Sequence, residues 1–268
     1  MRMNLQGSAQ AQERLLSKLS SMGLPRPAVA AMLERHILVR YPKGGELFSK
    51  GSPADVAFAV LTGVVKVYSS RPGIDPVLID LAGPGDLVGY ADFADASGER
   101  SQLFEATALT NCCVALFTRH HIAAVLKTLE PEALLRIAEA INSMWSGVAY
   151  RYATFLGMSL RQRLEIVLAE LAERFGVPDA RGTLLLPELA QEELAQMIGS
   201  SRPMVSKLLT EMTKQNILAR HGRRHILLAV PKSANAGPLP RVASASPAGR
   251  LRADRHANRR HSVPAPNI

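Results

Sequence analysis

A single glycine, Gly199, flanked by two short amphipathic stretches, constrains the fold of this chain more than any other feature. Upstream, Leu194 and Ile198 are four residues apart and share one face of a helix, with the small Ala195 where a second helix must cross closely. A glycine after such a stretch ends the helix in a conformation with positive φ, which other residues adopt only with strain. Ser200 or Ser201 can then cap a second helix, and Pro203 falls in its first turn, where a missing N–H does no harm. In that second helix Val205, Leu208, Leu209 and Met212 form an apolar stripe, and Arg202, Ser206, Lys207, Thr210 and Lys214 lie opposite. The pattern predicts a helix-turn-helix over about Leu189–Gln215, with a polar face suited to the major groove of DNA.

On that face Arg202 is the candidate guanine reader, because its planar fork matches the O6/N7 acceptor pair. Ser201, Ser206 and Lys207 are candidates for phosphate anchoring or secondary base contacts, and Met204 and Thr210 complete the set. Ile217–Leu228 then reads as a hairpin turning near Gly222, with Arg220, His221, Arg223 and Arg224 at its tip. Such a hairpin is what a winged helix-turn-helix sets against the sugar–phosphate backbone, Arg223 and Arg224 foremost. The competing reading is an unrelated helical hairpin with a solvated polar face; the ordered set of Ala, Gly, Ser-Arg and Val weighs against it.

The rest of the chain divides by pattern. Glu13–His36 carries apolar residues at helical spacing, interrupted by Pro25 and Pro27, and predicts one or two short helices. From about Ile37 to Leu116 the apolar runs are short and punctuated by glycine and proline, as in Val56–Leu61, Val64–Tyr68, Val77–Leu81 and Cys112–Phe117, which predicts an antiparallel sandwich or barrel. From Pro131 the period turns helical: Leu134, Ile137, Ile141, Met144, Val148, Arg151, Phe155 and Met158 fall at alternating steps of three and four. Such a seam predicts a dimer helix, with Trp145, Ala149, Tyr152 and Leu156 beside it packing back on the β domain; an ordinary buried helix is the alternative. Leu160, Leu164, Val167, Leu168 and Leu171 mark one more helix, and Thr183–Leu186 can make a short strand. From Ala234 onward the composition cannot bury enough apolar surface to offset conformational entropy, so disorder is expected.

The formal charge of +9 is concentrated late in the chain. From Lys232 onward there are seven Lys/Arg and one Asp, a net +6, and Pro187–Val230 contributes +2. A polyanionic partner is expected there, and a sequence-nonspecific nucleic-acid binder driven by the basic tail is the main alternative function. No apolar run reaches the roughly 18 residues of a membrane span, and Met1–Gln12 lacks a secretory signal, so a cytoplasmic protein is expected. Cys112 and Cys113 are adjacent on a strand and point to opposite faces, so reduced thiols are expected, and two thiols cannot build a four-cysteine iron–sulfur site. A cupin-like metal-dependent enzyme needs two or three converging His ligands, but Ile37–Phe117 contains none. Neither a glycine-rich phosphate loop followed by lysine nor a nucleophile elbow occurs, so no enzyme is expected.

The order of β-rich domain, long helix and winged helix-turn-helix resembles the Crp/Fnr family of bacterial regulators. Gly44-Gly45-Glu46, Gly51-Ser-Pro-Ala-Asp55, Gly63 and Gly83-Pro-Gly-Asp-Leu-Val-Gly89 resemble that family's cyclic-nucleotide-binding-type β-roll, and Gly199-Ser-Ser-Arg202 resembles the start of its recognition helix. The likeness covers about residues 20–230. It implies an α+β fold with a jelly-roll-like antiparallel β-roll, a long dimerisation helix and a C-terminal winged helix-turn-helix. The division expected is a flexible N-terminus over 1–19, a β-roll of effector-binding type over 20–130, the dimerisation helix over 131–158, the DNA-binding domain over 159–230 and a disordered basic tail over 231–268. The resemblance also implies a homodimer on palindromic operator DNA, with RNA polymerase as a further partner.

The effector positions implied are Gly89, Tyr90, Arg100, Ser101 and Val148. Cyclic-AMP-responsive members follow the matching glycine with a glutamate that holds the ribose, whereas Tyr90 stands here. Arg100-Ser101 matches their pair for the cyclic phosphate, but Val148 and Ala149 stand where they offer hydroxyls to adenine. A buried ribose hydroxyl facing the wrong partner loses about 1–3 kcal/mol, which argues against cyclic AMP in that mode. Arg100 is equally open to gripping another anion or forming a structural ion pair. Haem stays open, with His36, His120 and His121 just outside the β-rich segment, and Tyr90 filling the pocket itself would remove the need for any ligand.

Overall fold

Alternation along the strands decides how the N-terminal half is layered. In the computed structural model, which describes residues 5–89 and 101–228, α1 (Leu5–Ser21) and α2 (Arg26–Glu34) come first. They are followed by β1 (Ile37–Tyr41), β2 (Glu46–Phe48), β3 (Val56–Thr62), β4 (Val65–Arg71), β5 (Ile74–Ala82), β6 (Leu87–Val88), β7 (Glu105–Ala108) and β8 (Cys112–Thr118). The strands pair antiparallel in two sheets, β1-β8-β3-β6 and β2-β7-β4-β5. On β8, Cys112 and Val114 enter the core between the sheets with Phe58, Val60 and Val65. Cys113, Ala115 and Phe117 face the other way and pack with Leu15, Leu19 and Val29 of the helices. Both faces of this sheet are therefore covered, which is why its strands read as near-continuous apolar runs. The two cysteines are free and buried in separate cores.

The N-terminal segment departs from the flexible 1–19 expected. Leu15 and Leu19, one turn apart, are buried against the β1-β8-β3-β6 sheet, and the intervening Lys18 carries its amine to Asp86. Burial lowers the pKa of that amine, with Asp86 opposing the shift.

Beyond β8 lie α3 (Arg119–Leu126), capped by Thr118, and α4 (Pro131–Leu156), which starts on a proline in its first turn. Ala133 is buried, and Ile137 and Ala140 pack against the helix-covered side of the sheet. Leu134, Leu135, Ile141, Tyr152 and Leu156 are exposed, Tyr152 by 69%. Of the residues expected on one seam, Leu134 and Ile141 are exposed, whereas Ile137 belongs to the β-roll contact and Phe155 packs against the core of the C-terminal domain, so the exposed apolar stripe is rotated from the expected one. Tyr152, Leu156 and Ala149, expected to pack back, face outward instead. The physical reason is that one helix serves two apolar faces, and spacing alone does not say which face meets the chain's own β-roll. The side chains of Met144, Trp145, Val148 and Arg151 lie outside the described residues.

The C-terminal domain comprises α5 (Leu160–Phe175), β9 (Gly176–Asp179), β10 (Gly182–Leu185), α6 (Gln191–Ile198), α7 (Arg202–Lys214), β11 (Leu218–His221) and β12 (Arg224–Leu227). Ser159 and Gln162 form a reciprocal capping box at the start of α5. A third sheet has the order β11-β12-β10-β9. Leu164, Leu168 and Leu171 of α5 share a core with Leu194, Ile198 and Met212, and that core continues into Val64, Leu78 and Leu81 of the β-roll. The tail expected over 231–268 lies outside the described residues. Among the described residues no helix is long and apolar enough to cross a membrane.

Candidate nucleic-acid interface

The turn between α6 and α7 forms as its residue types require. Gly199 has φ +65° and ψ +51°, and the Ser200 N–H donates to the Ala195 carbonyl at 2.9 Å. Ser201 takes the N-cap position of α7 in extended conformation, but its hydroxyl makes no capping bond, contrary to the role expected for Ser200 or Ser201. The side chain is instead exposed at the start of the helix. Val205, Leu208, Leu209 and Met212 are buried as expected.

The opposite side of α7 carries the candidate readers. Pro203, Lys207, Thr210 and Lys214 run along its outermost ridge and are exposed. Arg202 and Ser206 flank that ridge on one side, Arg202 exposed and Ser206 half-buried, while Met204 flanks it on the other at 40% exposure. The Thr210 hydroxyl donates to the Ser206 carbonyl at 2.8 Å. Ser201, Arg202, Met204, Ser206, Lys207 and Thr210 therefore stand on one continuous surface.

The wing turns through Gly222-Arg223, with His221 paired to Arg224 across the hairpin and Gly222 at φ +62°. A glycine at the first central position suits the tight turn that matches strand twist. Arg220, Arg223 and Arg224 are exposed; Arg223 lies 3.7 Å from Glu188, a loose contact between solvated groups. Beneath the tip His225 is half-buried, and burial, reinforced by the Arg220 charge, lowers its pKa.

Two arginines escaped the sequence reading. Arg181, in the turn between β9 and β10, lies 3.1 Å from the His221 ring and so extends the basic edge of the wing. Its Nε also donates to Asp179 at 3.2 Å. The Asp-Ala-Arg-Gly run at 179–182 is a turn signature that could have revealed this hairpin. Arg163 donates to the Ile198 carbonyl and the Met158 carbonyl, each at 3.2 Å, tying the turn before α7 to the junction after α4.

On the β-roll, Gly89 follows β6 beside the stacked rings of Phe48 and Phe58, whose centroids are 5.6 Å apart; a Cβ on Gly89 would stand 3.2 Å from both rings. Ser101 forms an isolated bridge with Pro53. The neighbouring Gln102, missed by the sequence reading, is 1% exposed and its side-chain amide has no partner among the described residues. Tyr90, Arg100 and the Val148 side chain lie outside the described residues.

A β-roll, a long helix with an uncovered apolar stripe and a winged helix-turn-helix in one chain define a DNA-binding regulator. Comparison with known families agrees: residues 38–129 match the cyclic nucleotide-binding domain and residues 162–232 the Crp-like helix-turn-helix domain. The chain is 24% identical over 201 residues to a CRP-like cAMP-activated global transcriptional regulator of Mycobacterium tuberculosis, covering 75% of this chain and 88% of that one. It is 23% identical to a global nitrogen regulator of Synechococcus elongatus over 69% of this chain and 82% of the relative. Among solved structures, the c-di-GMP responsive global regulator CLP of Xanthomonas campestris shares the fold with a TM-score of 0.63, at 20% identity over 76% of this chain and all of that one. The chain belongs to the Crp/Fnr family of transcription regulators and is a sequence-specific DNA-binding protein.

Proposed function

We propose that the protein acts as a homodimer whose two α7 helices enter adjacent major grooves of a palindromic operator, with half-sites about one helical turn apart. The observation that carries this reading is the division of α7, apolar side buried and polar side exposed from Ser201 to Lys214. Arg202 reads a base, while Ser201, Ser206, Lys207 and Thr210 anchor phosphates or add secondary contacts, and Met204 lines the flank. Arg223 and Arg224 of the wing hold the sugar–phosphate backbone. The exposed Leu134, Ile141, Tyr152 and Leu156 supply the apolar face on which two α4 helices pair. RNA polymerase is the expected second partner on the promoter.

An effector site at the β-roll fits the cyclic nucleotide-binding match, but Tyr90 in place of a carboxylate argues against cyclic AMP held through its ribose. Among the similar proteins, one is a cAMP-activated regulator and another a c-di-GMP responsive one. Selection of duplexes from a randomised library with the purified dimer tests the reading. Arg202→Ala is expected to weaken binding to the selected duplex by about 1–3 kcal/mol while sparing random DNA. Equal loss on both duplexes would favour a binder driven by charge alone.

A further inference from the structure

The C-terminal domain meets the rest of the chain in two ways. On the β-roll, Arg174 of α5 pairs with Asp80 of β5 at 2.7 Å. At the covalent junction, residues 157–159 are all that separate α4 from α5. Arg163, in the first turn of α5 and half-buried, folds back over that junction. Its Nε donates to the Met158 carbonyl and its Nη1 to the Ile198 carbonyl, both at 3.2 Å. The guanidinium also lies 6.0 Å from the ring centroid of Phe155, in the last turn of α4.

Ile198 is the last residue of α6, where carbonyls lack donors within the helix. The N–H groups of the turn do not serve it, because Gly199 and Ser200 both donate to the Ala195 carbonyl. Residues 199–201 alone separate Ile198 from Arg202, the first residue of α7. One planar fork thus holds the end of α4 and the entry to α7 at a fixed separation. A lysine in its place would keep the charge but present one ammonium on a flexible stem, without the fixed pair of N–H groups. In a dimer held through α4, the placement of α7 relative to α4 sets the distance between the two recognition helices. Each base pair added between half-sites moves one of them by about 3.4 Å and turns it by about 35°. Slack between α4 and α7 therefore widens the range of spacings a dimer accepts. It also weakens binding at the best spacing, because that freedom has to be frozen on DNA.

We propose that Arg163 is a positioning residue that fixes the half-site spacing the dimer accepts, by clamping the α6–α7 turn to the end of α4. The inference rests on the reading of a homodimer on a palindrome and adds the residue that sets its reach. In this role the guanidinium acts through two backbone carbonyls and needs no contact with DNA.

Full-length wild type, Arg163→Lys and Arg163→Met are compared on a duplex selected from a randomised library by the wild-type dimer, with its spacer kept, shortened or lengthened by one base pair. Arg163→Met is expected to bind the kept spacing about tenfold more weakly and the altered spacings about as well as wild type, so its preference shrinks about tenfold. Arg163→Lys should lose part of that preference. Arg161→Met is the control, because Arg161 lies in the same turn of α5 but donates to Glu165 and to Gln215 at the end of α7, and so spans no junction. It should keep the wild-type preference whatever it costs in affinity. An Arg163→Met protein that loses affinity evenly over all spacings would make Arg163 a stabilising residue only and overturn the inference. A lysine variant with the full wild-type preference, or a control that loses as much of it as Arg163→Met, would overturn it too. Should Arg163→Met fail to fold by circular dichroism, Arg163→Lys decides by the same ratio. Selected duplexes without paired half-sites would overturn the dimeric reading itself, and the positioning role with it.

Discussion

Gly199→Ala probes the turn between α6 and α7 separately from its packing. At Gly199 a new Cβ would have only Arg163 Nη1 within 4 Å, at 3.8 Å, which is ordinary van der Waals contact. Clash therefore contributes nothing, and the change reduces to holding an L-residue at φ +65°. That conformation costs about 1–2 kcal/mol for a residue with a Cβ. Gly222→Ala is a matched control, because its φ is +62° and nothing lies within 4 Å of the added carbon. Urea denaturation of the full chain, followed by circular dichroism, should show the same loss of about 1–2 kcal/mol in both. Strain of that size leaves the domain folded, so affinity for the selected duplex should fall by about tenfold or less in each. A loss of about 3 kcal/mol or more at Gly199 alone would refute the argument, since backbone strain of this kind does not reach that size. No loss at either position would mean that the left-handed turns do not form.

Two further outcomes follow from exposure and burial. Tyr152→Asp combined with Leu156→Asp places charge on the uncovered face of α4 and should convert the dimer to single chains by light scattering, with helix content unchanged; a persistent dimer would show that pairing uses another face. His225 has a pKa depressed below its ordinary 6.5 by burial, so the unfolded chain takes up a proton first as pH falls. Its contribution to stability is complete above 6.5 and is lost as pH drops through that value toward the folded-state pKa. His225→Gln should therefore narrow the gap between denaturation midpoints at about pH 7.5 and about pH 5, and an unchanged gap would assign the acid sensitivity elsewhere.

The helix-turn-helix was legible because its signals are local. Gly199, Pro203 and the stripe of Val205, Leu208 and Met212 declare turn, first turn and buried face within fifteen residues or so of one another, and each takes the place expected. β3, β4 and β5 were legible for the same reason, their runs being bounded by glycine and proline, whereas the short β2, β6, β7 and β9 carried no apolar run that marked them. What the sequence hid was partnership between distant segments. Arg174 and Asp80 are 94 positions apart, and nothing in either neighbourhood marks the other. The same blindness rotated the seam of α4, since Ile137 and Tyr152 are both apolar and only the β-roll's position assigns one inward and the other outward. For Leu15 and Leu19 the helical spacing was legible from Glu13 onward, but the polar start to the chain hid that the helix begins at Leu5 and that the sheet surface holds it in place. Arg163 was hidden because its acceptors are backbone carbonyls, which have no sequence signature.

The strand orders also carry a consequence for how the chain is made. β8 lies between β1 and β3, so Ile37 waits for Leu116 and Val56 for Thr118 before either strand has a ladder partner on that side. On a ribosome, the apolar β3 would emerge dozens of residues ahead of the plank that joins it, a contact order that slows folding and leaves an edge open to misassembly. β12 repeats the arrangement between β11 and β10 near the end of the described chain. A nascent chain stalled before Cys112 thus holds every described strand of the β-roll except the keystone β8.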